Sequence, residues 1–277
     1  MNVIRHRSQL RDFLSRVEGP RVLVPTMGAL HDGHLALLAK AREVAGNQGT
    51  VVVSIFVNPM QFDSKTDLAA YPRNEEGDLA ACNEADVDVV FIPVEGEMYE
   101  ADCSVTVNEE RLSAGLCGST RPGHFDGVCT VVLKLFLLSN CDVAVFGEKD
   151  MQQLAIIRRM IRDLDISVKI VTHPTLREAD GLAMSSRNAR LNDQYRADAP
   201  RIYRALSEAA KKSSLEEILT HARIEIEASG LARIDYLQVV DAQNLEPLKS
   251  LDTAAILAVA VFYGDVRLID HVLIPSC

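Results

Sequence analysis

Short apolar runs rich in valine and isoleucine alternate along the first two thirds of the chain with longer stretches whose apolar residues recur at helical spacing. Arg21-Val22-Leu23-Val24-Pro25 predicts a strand. Residues 34–45 predict a helix, with Leu35, Leu38, Ala39 and Arg42 at helical spacing. Residues 50–57 carry no charge and predict a central strand buried on both faces. Further helices are predicted over 67–85, 125–138 and 151–164, and further strands over 87–92, 142–146 and 166–171. Alternation of this kind implies a parallel sheet with helices on both faces. Ligands of such sheets bind beyond the carboxyl ends of the strands, where strand order reverses. That rule gathers the segments after Val24, Val57 and Phe146 around one cleft.

The last hundred residues change pattern. Two helices are predicted over 195–212 and 214–228, then strands over 234–240, 254–263 and 266–274. Gly264-Asp265 suits a hairpin turn between the last two strands. This predicts a smaller α+β domain, with the boundary falling within residues 172–190.

Four blocks carry candidate chemistry. Met27-Gly28-Ala29-Leu30-His31-Asp32-Gly33-His34 lies between a strand and a helix. Its glycines allow close backbone approach, and a helix N-terminus offers free N–H groups and a positive dipole end. Two histidines three residues apart suit the charge that builds on a phosphate during nucleotidyl transfer. Metal ligation or helix capping is the competing reading of the pair. Gly147-Glu148-Lys149-Asp150 also joins a strand to a helix, and Lys149 offers a point charge for phosphate. A solvated surface loop is the competing reading. Met184-Ser185-Ser186-Arg187 combines hydroxyls with a guanidinium that fits a triphosphate, although a polar interdomain loop has the same composition. Asn58 and Gln61 end a strand that otherwise reads as buried, so their amides need partners: substrate groups, or the backbone of a capped turn. Arg121-Pro122-Gly123-His124-Phe125 reads equally as a mobile loop or a turn, and His6, His173, His221 and His271 read as structural or exposed. There is no Walker A loop, no GxGxxG after the first strand and no GxSxG.

Composition narrows the function classes. Asp and Glu number 39 against 29 Lys and Arg, a net charge of -10, which argues against a nucleic-acid binder. The opening Met1-Asn2-Val3-Ile4-Arg5-His6-Arg7 has no apolar run behind its charges, so no signal peptide is expected. The longest apolar stretch, residues 254–263, is too short to span a bilayer as a helix, so no membrane partner is expected. Six cysteines (Cys82, Cys103, Cys117, Cys129, Cys141, Cys277) form no CxxC pair, which predicts reduced structural thiols and a cytoplasmic protein.

Six blocks taken in order resemble the pantoate–β-alanine ligase family, also called pantothenate synthetases. They are residues 25–34, 56–62, Tyr71-Pro72-Arg73, 121–125, residues 146–150 with Gln152-Gln153-Leu154, and residues 180–188. The resemblance runs from Val24 to about Asn192. It implies an α/β fold: a Rossmann-like parallel sheet with helices on both faces over residues 1–176, binding nucleotide and pantoate. A smaller α+β C-terminal lid domain follows over residues 177–277, usually in a homodimer. It implies ATP-dependent condensation of pantoate with β-alanine to pantothenate, AMP and pyrophosphate through a pantoyl adenylate, with Mg²⁺ accompanying ATP. By the resemblance Met27, Gly28, Ala29, Leu30, His31, Asp32, Gly33 and His34 line the ATP site, with His34, His31 and Lys149 catalytic. Gly147, Glu148, Lys149, Asp150, Leu176, Met184, Ser185, Ser186 and Arg187 complete that site. Gln61 holds pantoate and faces β-alanine, Gln153 holds pantoate, and metal ligands stay unassigned.

Asp32 stands where the family often has Glu, Met151 where it often has an aromatic, and Thr172-His173 where it has a more apolar pair. The last puts contacts near the adenine in doubt. Another HxGH nucleotidyltransferase is the alternative enzyme: coenzyme adenylyltransferases are shorter and lack the Asn58–Gln61 block, and tRNA-charging enzymes need a basic RNA-binding surface. A non-catalytic nucleotide sensor is the alternative from another class. It would be expected to have lost a catalytic group, whereas His31, His34, Lys149, Ser185 and Arg187 are all present.

Overall fold

The structure, a computed structural model, describes residues 1–274. Two compact units make it up. The first holds residues 1–109, 122–148 and 156–174, and the second holds residues 110–121, 149–155 and those from Thr175 on.

The first unit is built on six parallel strands: β1 (Asn2–Ile4), β2 (Arg21–Thr26), β3 (Thr50–Ile55), β4 (Val89–Phe91), β5 (Val143–Gly147) and β6 (Lys169–His173). Their order is β1-β4-β3-β2-β5-β6. The chain steps from β2 outward through β3 and β4, then returns to the other side of β2 for β5 and β6. Leu23 of β2 is accordingly paired with Val52 of β3 and Ala144 of β5. Strand order therefore reverses at the carboxyl ends of β2 and β5. All six residues of β3 are buried, as a strand covered on both faces requires. Val22, Val24, Val51, Val53 and Ile55 point to one face and pack against Leu37, Leu38, Ala41 and Ala45 of the helix Asp32–Ala45. Leu23 and Val52 alternate to the other face, and the apolar helix His124–Ser139 packs on β2 and on the helix Arg7–Leu14.

The parallel sheet with helices is the predicted fold class, with differences at particular elements. The helix expected over 67–85 is two helices, Lys65–Ala70 and Glu75–Glu84. Pro72 lacks an N–H and forces the residue before it out of the helical region, so Tyr71 is extended at φ -65, ψ 127. Asn74 then caps the second helix, its side chain accepting from Gly77 N at 3.2 Å. Pro200 interrupts the helix expected over 195–212, which becomes Asp193–Asp198 and Arg201–Ala209; here Ala199 keeps helical dihedrals, φ -54 and ψ -33, and what is lost is the N–H that proline lacks. The strand expected from 166 begins only at Lys169, because the chain first turns through Asp165 at φ 51. Residue 39, expected on the packed stripe of its helix, is exposed, and the stripe runs through Leu38, Ala41 and Ala45. The strand β1 and the helix Arg7–Leu14 were not expected. Three residues are too few to show a strand period.

The second unit contains an antiparallel sheet, β7 (Ala232–Asp241), β8 (Ala255–Tyr263) and β9 (Val266–Ile274), in the order β7-β8-β9. Gly264 closes the last hairpin at φ 57. Helices Arg201–Ala209 and Leu215–Glu227 bury Ile202, Leu206, Ile218, Ala222 and Ile226 against Leu257, Val259, Val261 and Tyr263. Among the described residues no helix is long and apolar enough to cross a membrane.

Leu206 is fully buried in this second core, so Leu206→Ala removes its contacts and leaves a cavity. The expected loss is about 2–5 kcal/mol of unfolding free energy by denaturant titration. A loss well below this range would show that the core is loosely packed there.

Candidate active site

At the end of β2 the chain must leave the sheet and enter the helix Asp32–Ala45 within a few residues. Thr26 Oγ1 donates to Ser54 O at 2.8 Å and accepts from Gly28 N at 3.3 Å. Gly28 and Ala29 then follow at φ 79 and 51, two left-handed residues in succession. For Ala29 this conformation costs roughly 1–2 kcal/mol. The side chain of Asp78, almost fully buried in the helix Glu75–Glu84, meets the turn: its oxygens accept from Ala29 N at 2.9 Å and Leu30 N at 2.7 Å.

His31 is the N-cap of the helix that follows. Its Nδ1 accepts from Gly33 N at 3.1 Å, while His34 Nδ1 accepts from His31 N at 3.3 Å. This is a capping box made by two histidines in place of the usual hydroxyl and carboxylate. An Nδ1 that accepts is unprotonated, so each neutral ring carries its proton on Nε2. The ring centroids are 4.1 Å apart. The expectation of free N–H groups at this helix mouth is corrected. The amides of Gly28, Ala29, Leu30, His31, Gly33 and His34 all donate within the unit, because a turn this tight folds its donors back on itself. The capping reading of the histidines is borne out: Nδ1 of each ring caps the helix, and Nε2 carries the proton. Asp32 is exposed.

A second group in the same unit surrounds Gln61. Asn58 caps the short helix Pro59–Gln61: its Oδ1 accepts from Met60 N at 3.3 Å and Tyr99 Oη at 2.8 Å. Its Nδ2 donates to Gln61 Oε1 at 3.2 Å and Gly127 O at 3.0 Å. The capped-turn reading therefore accounts for Asn58. Burial pushes the Tyr99 phenol up, so it stays a donor. Gln61 is buried, with Nε2 3.1 Å from Met27 Sδ, which brings the Gln61 turn against the first motif. His124 is buried at the start of its helix, not on a mobile loop. Its Nδ1 lies 2.7 Å from Gln61 O, an acceptor, so here Nδ1 carries the proton. A Cβ at Gly127 would strike the Met60 carbonyl, so only glycine lets that helix approach so closely. At the end of β5, Gly147 is half-buried, and Glu148 Oε1 accepts from Thr172 Oγ1 at 2.8 Å. Thr172, one of the departures from the family pattern, thus orients Glu148.

The remaining predicted residues lie in the second unit. Burial pushes the Lys149 ammonium down; Asp150 opposes this and Arg187 adds to it. Met184 N donates to Leu176 O at 3.0 Å, bringing those two residues together. Ser185 Oγ caps the turn Ser186–Arg190, accepting from Arg187 N at 3.2 Å. This segment is held by residues the sequence reading missed. Arg177 pairs with buried Asp270 of β9 at 2.7 and 2.9 Å and stacks 3.5 Å above the centre of the Tyr203 ring. Asn188 donates to Glu178 at 2.8 Å, and Arg196 pairs with both Glu178 and Asp180. Gln152 is buried, its amide spent on Cys117 N, Leu112 O and Gly115 O, while Gln153 is half-buried. Among the described residues no three His, Cys, Asp or Glu side chains gather to hold a metal ion.

Residues 2–273 match the family model for pantoate-beta-alanine ligase. A pantothenate synthetase of Akkermansia muciniphila is 49% identical over 279 residues, spanning 98% of this chain and 99% of the relative. The crystal structure of pantothenate synthetase from Thermus thermophilus is similar with a TM-score of 0.93 at 41% identity, over 99% of this chain and 100% of that one. The pantoate-beta-alanine ligase from Francisella tularensis, complexed with beta-gamma ATP and beta-alanine, is similar with a TM-score of 0.84 at 33% identity, over 99% and 97%. With its histidine motif seated at the strand-order reversal and the match extending along nearly all its length, the chain belongs to the pantoate–β-alanine ligase family of enzymes.

Proposed function

We propose that the chain condenses pantoate with β-alanine at the expense of ATP, through a pantoyl adenylate. A carboxylate oxygen of pantoate attacks the α-phosphorus. The bond to the bridging oxygen breaks, and its electron pair leaves with pyrophosphate. The amine of β-alanine, having lost a proton to become neutral, attacks the acyl carbon and gives up a second proton to water as the amide forms. The bond to AMP breaks, and AMP leaves with that electron pair. The first step brings two anions together and the second builds negative charge on the carbonyl oxygen and the departing AMP, so each needs positioned donors.

The histidine cap is the observation that carries this reading. It fixes two Nε2–H donors at the mouth of the helix after β2, where charge building on a phosphate would meet them. The nucleotide residues proposed in the first unit are Met27, Gly28, Ala29, Leu30, His31, Asp32, Gly33, His34, Gly147 and Glu148. Those proposed in the second are Lys149, Asp150, Leu176, Met184, Ser185, Ser186 and Arg187, with Lys149 and Arg187 supplying positive charge. Gln61 and Gln153 are proposed for pantoate, and Gln61 also for β-alanine. Mg²⁺ is assigned to the phosphates of ATP, where this hard ion keeps several of its waters. No protein residue is assigned to hold it. A cytoplasmic homodimer completes the family reading.

AMP release from ATP and Mg²⁺ is expected over many turnovers only when pantoate and β-alanine are both present. Release with one alone, or with another acid in place of pantoate, would overturn the substrate assignment. His34→Ala is expected to lower kcat about 10²–10³-fold, as for other lost transition-state donors. Its stability should fall by no more than a lost cap implies, about 1 kcal/mol. Unchanged turnover would remove His34 from the mechanism. Lys149 is proposed to act charged, and burial lowers its pKa from 10.5. Activity should therefore fall as pH rises through a value below 10.5, and Lys149→Arg should remove that alkaline limb. A limb that persists in Lys149→Arg belongs to another group.

A further inference from the structure

We infer that Asp78 is a positioning residue for the histidine pair: its buried carboxylate clamps the left-handed turn that sets His31 and His34 in register. Asp78 lies in the first turn of the helix Glu75–Glu84 and is 2% exposed. Its two oxygens take the two amides that follow Gly28, at 2.9 Å from Ala29 N and 2.7 Å from Leu30 N. A carboxylate is suited to this because it only accepts, and presents two oxygens side by side. An asparagine in the same place would turn an NH₂ group toward one of the amides.

The geometry on the other side of the contact agrees. A Cβ at Gly28 would stand 2.8 Å from Asp78 Oδ2 and 2.9 Å from Ile55 Cγ2, so the carboxylate occupies space that only glycine leaves. Ala29 is held at φ 51, which a residue with a Cβ adopts rarely and keeps only when its surroundings enforce it. Leu30 leads directly into the His31 cap. A change in the direction of its peptide moves His31 N, the donor on which His34 Nδ1 depends. The effect of Asp78 on the imidazoles therefore runs through the backbone of Ala29 and Leu30. Burial and then the charge of Asp78 push the thiol of Cys82, one helical turn on, up to about 12. In sequence Asp78 is far from His34, one acid among several within the single helix expected over 67–85.

The inference rests on the ligase reading above, and its test separates the two. Amide hydrogen exchange on the intact protein reads the clamp without any substrate. In Asp78→Asn the amides of Ala29 and Leu30 should exchange at least tenfold faster, with β8 of the second unit unchanged. In the ligase assay the same variant should lose at least tenfold in kcat and gain several-fold in KM for ATP, with KM for β-alanine within twofold. Leu206→Ala serves as a destabilised control and should show neither the local exchange nor the split between KM values. Asp78→Glu, which keeps two acceptor oxygens, should retain more kcat than Asp78→Asn. Exchange at 29 and 30 matching the wild type, or a Leu206→Ala pattern identical to that of Asp78→Asn, would overturn the positioning role. Wild-type enzyme that fails to need both pantoate and β-alanine would overturn the ligase reading, while faster exchange in Asp78→Asn would still stand.

Discussion

The chain leaves β2 through two successive residues at positive φ, Gly28 and Ala29, and the helix behind them starts only if that turn closes. Tertiary contacts offset the cost of the turn. Thr26 reaches across to Ser54 on β3, and Asp78 reaches in from a helix that lies beyond β3 in the chain. Once the turn is closed, the amides from Gly28 to Leu30 are used, and so is His31 N through His34. The motif has the position of a backbone anion cradle at a helix N-terminus, yet most of its amides are spent on the turn and the cap.

The same economy recurs around Gln61. Asn58 spends every polar group on Met60, Tyr99, Gln61 and Gly127, and His124 spends Nδ1 on the Gln61 carbonyl. Two segments distant in sequence, one at Tyr99 and the other the helix His124–Ser139, thus fix one short turn. Met27 Sδ against Gln61 Nε2 ties that turn to the histidine motif. In the second unit a buried ion pair does the comparable work. Asp270 on β9 orients Arg177, and Arg196 and Asn188 hold Glu178, so the segment bearing Ser185 and Arg187 is tied down by side chains although it contains little regular structure. Buried charge pairs of this kind contribute little net stability but fix geometry strongly when fully hydrogen-bonded.

How much could be read in advance follows from the range of each interaction. The parallel sheet, the order of its strands along the chain and the hairpin at Gly264 were legible because hydrophobic period and turn residues act over a few neighbours. Where the reading slipped, a local rule was passed over: Pro72 and Pro200 each split a helix whose apolar pattern ran on through them. The histidine motif, Lys149 and the Ser185–Arg187 segment stood out because each joins predicted elements. Asp78, Arg177 and Asp270 did not, because an Asp within a helix or a strand looks the same whether it faces water or a distant partner.

The sequence by itself determined the family, the α/β class and the chemical groups available for catalysis, since these follow from residue identity and short-range pattern. Only the tertiary structure decided which donors those groups retain. It placed the Asp78 carboxylate on the amides of Ala29 and Leu30 and turned both imidazole Nδ1 atoms inward as caps. The reason is that an N–H or a ring nitrogen serves one partner at a time. Which partner uses it depends on chain segments brought together by the sheet, and no local pattern encodes that encounter.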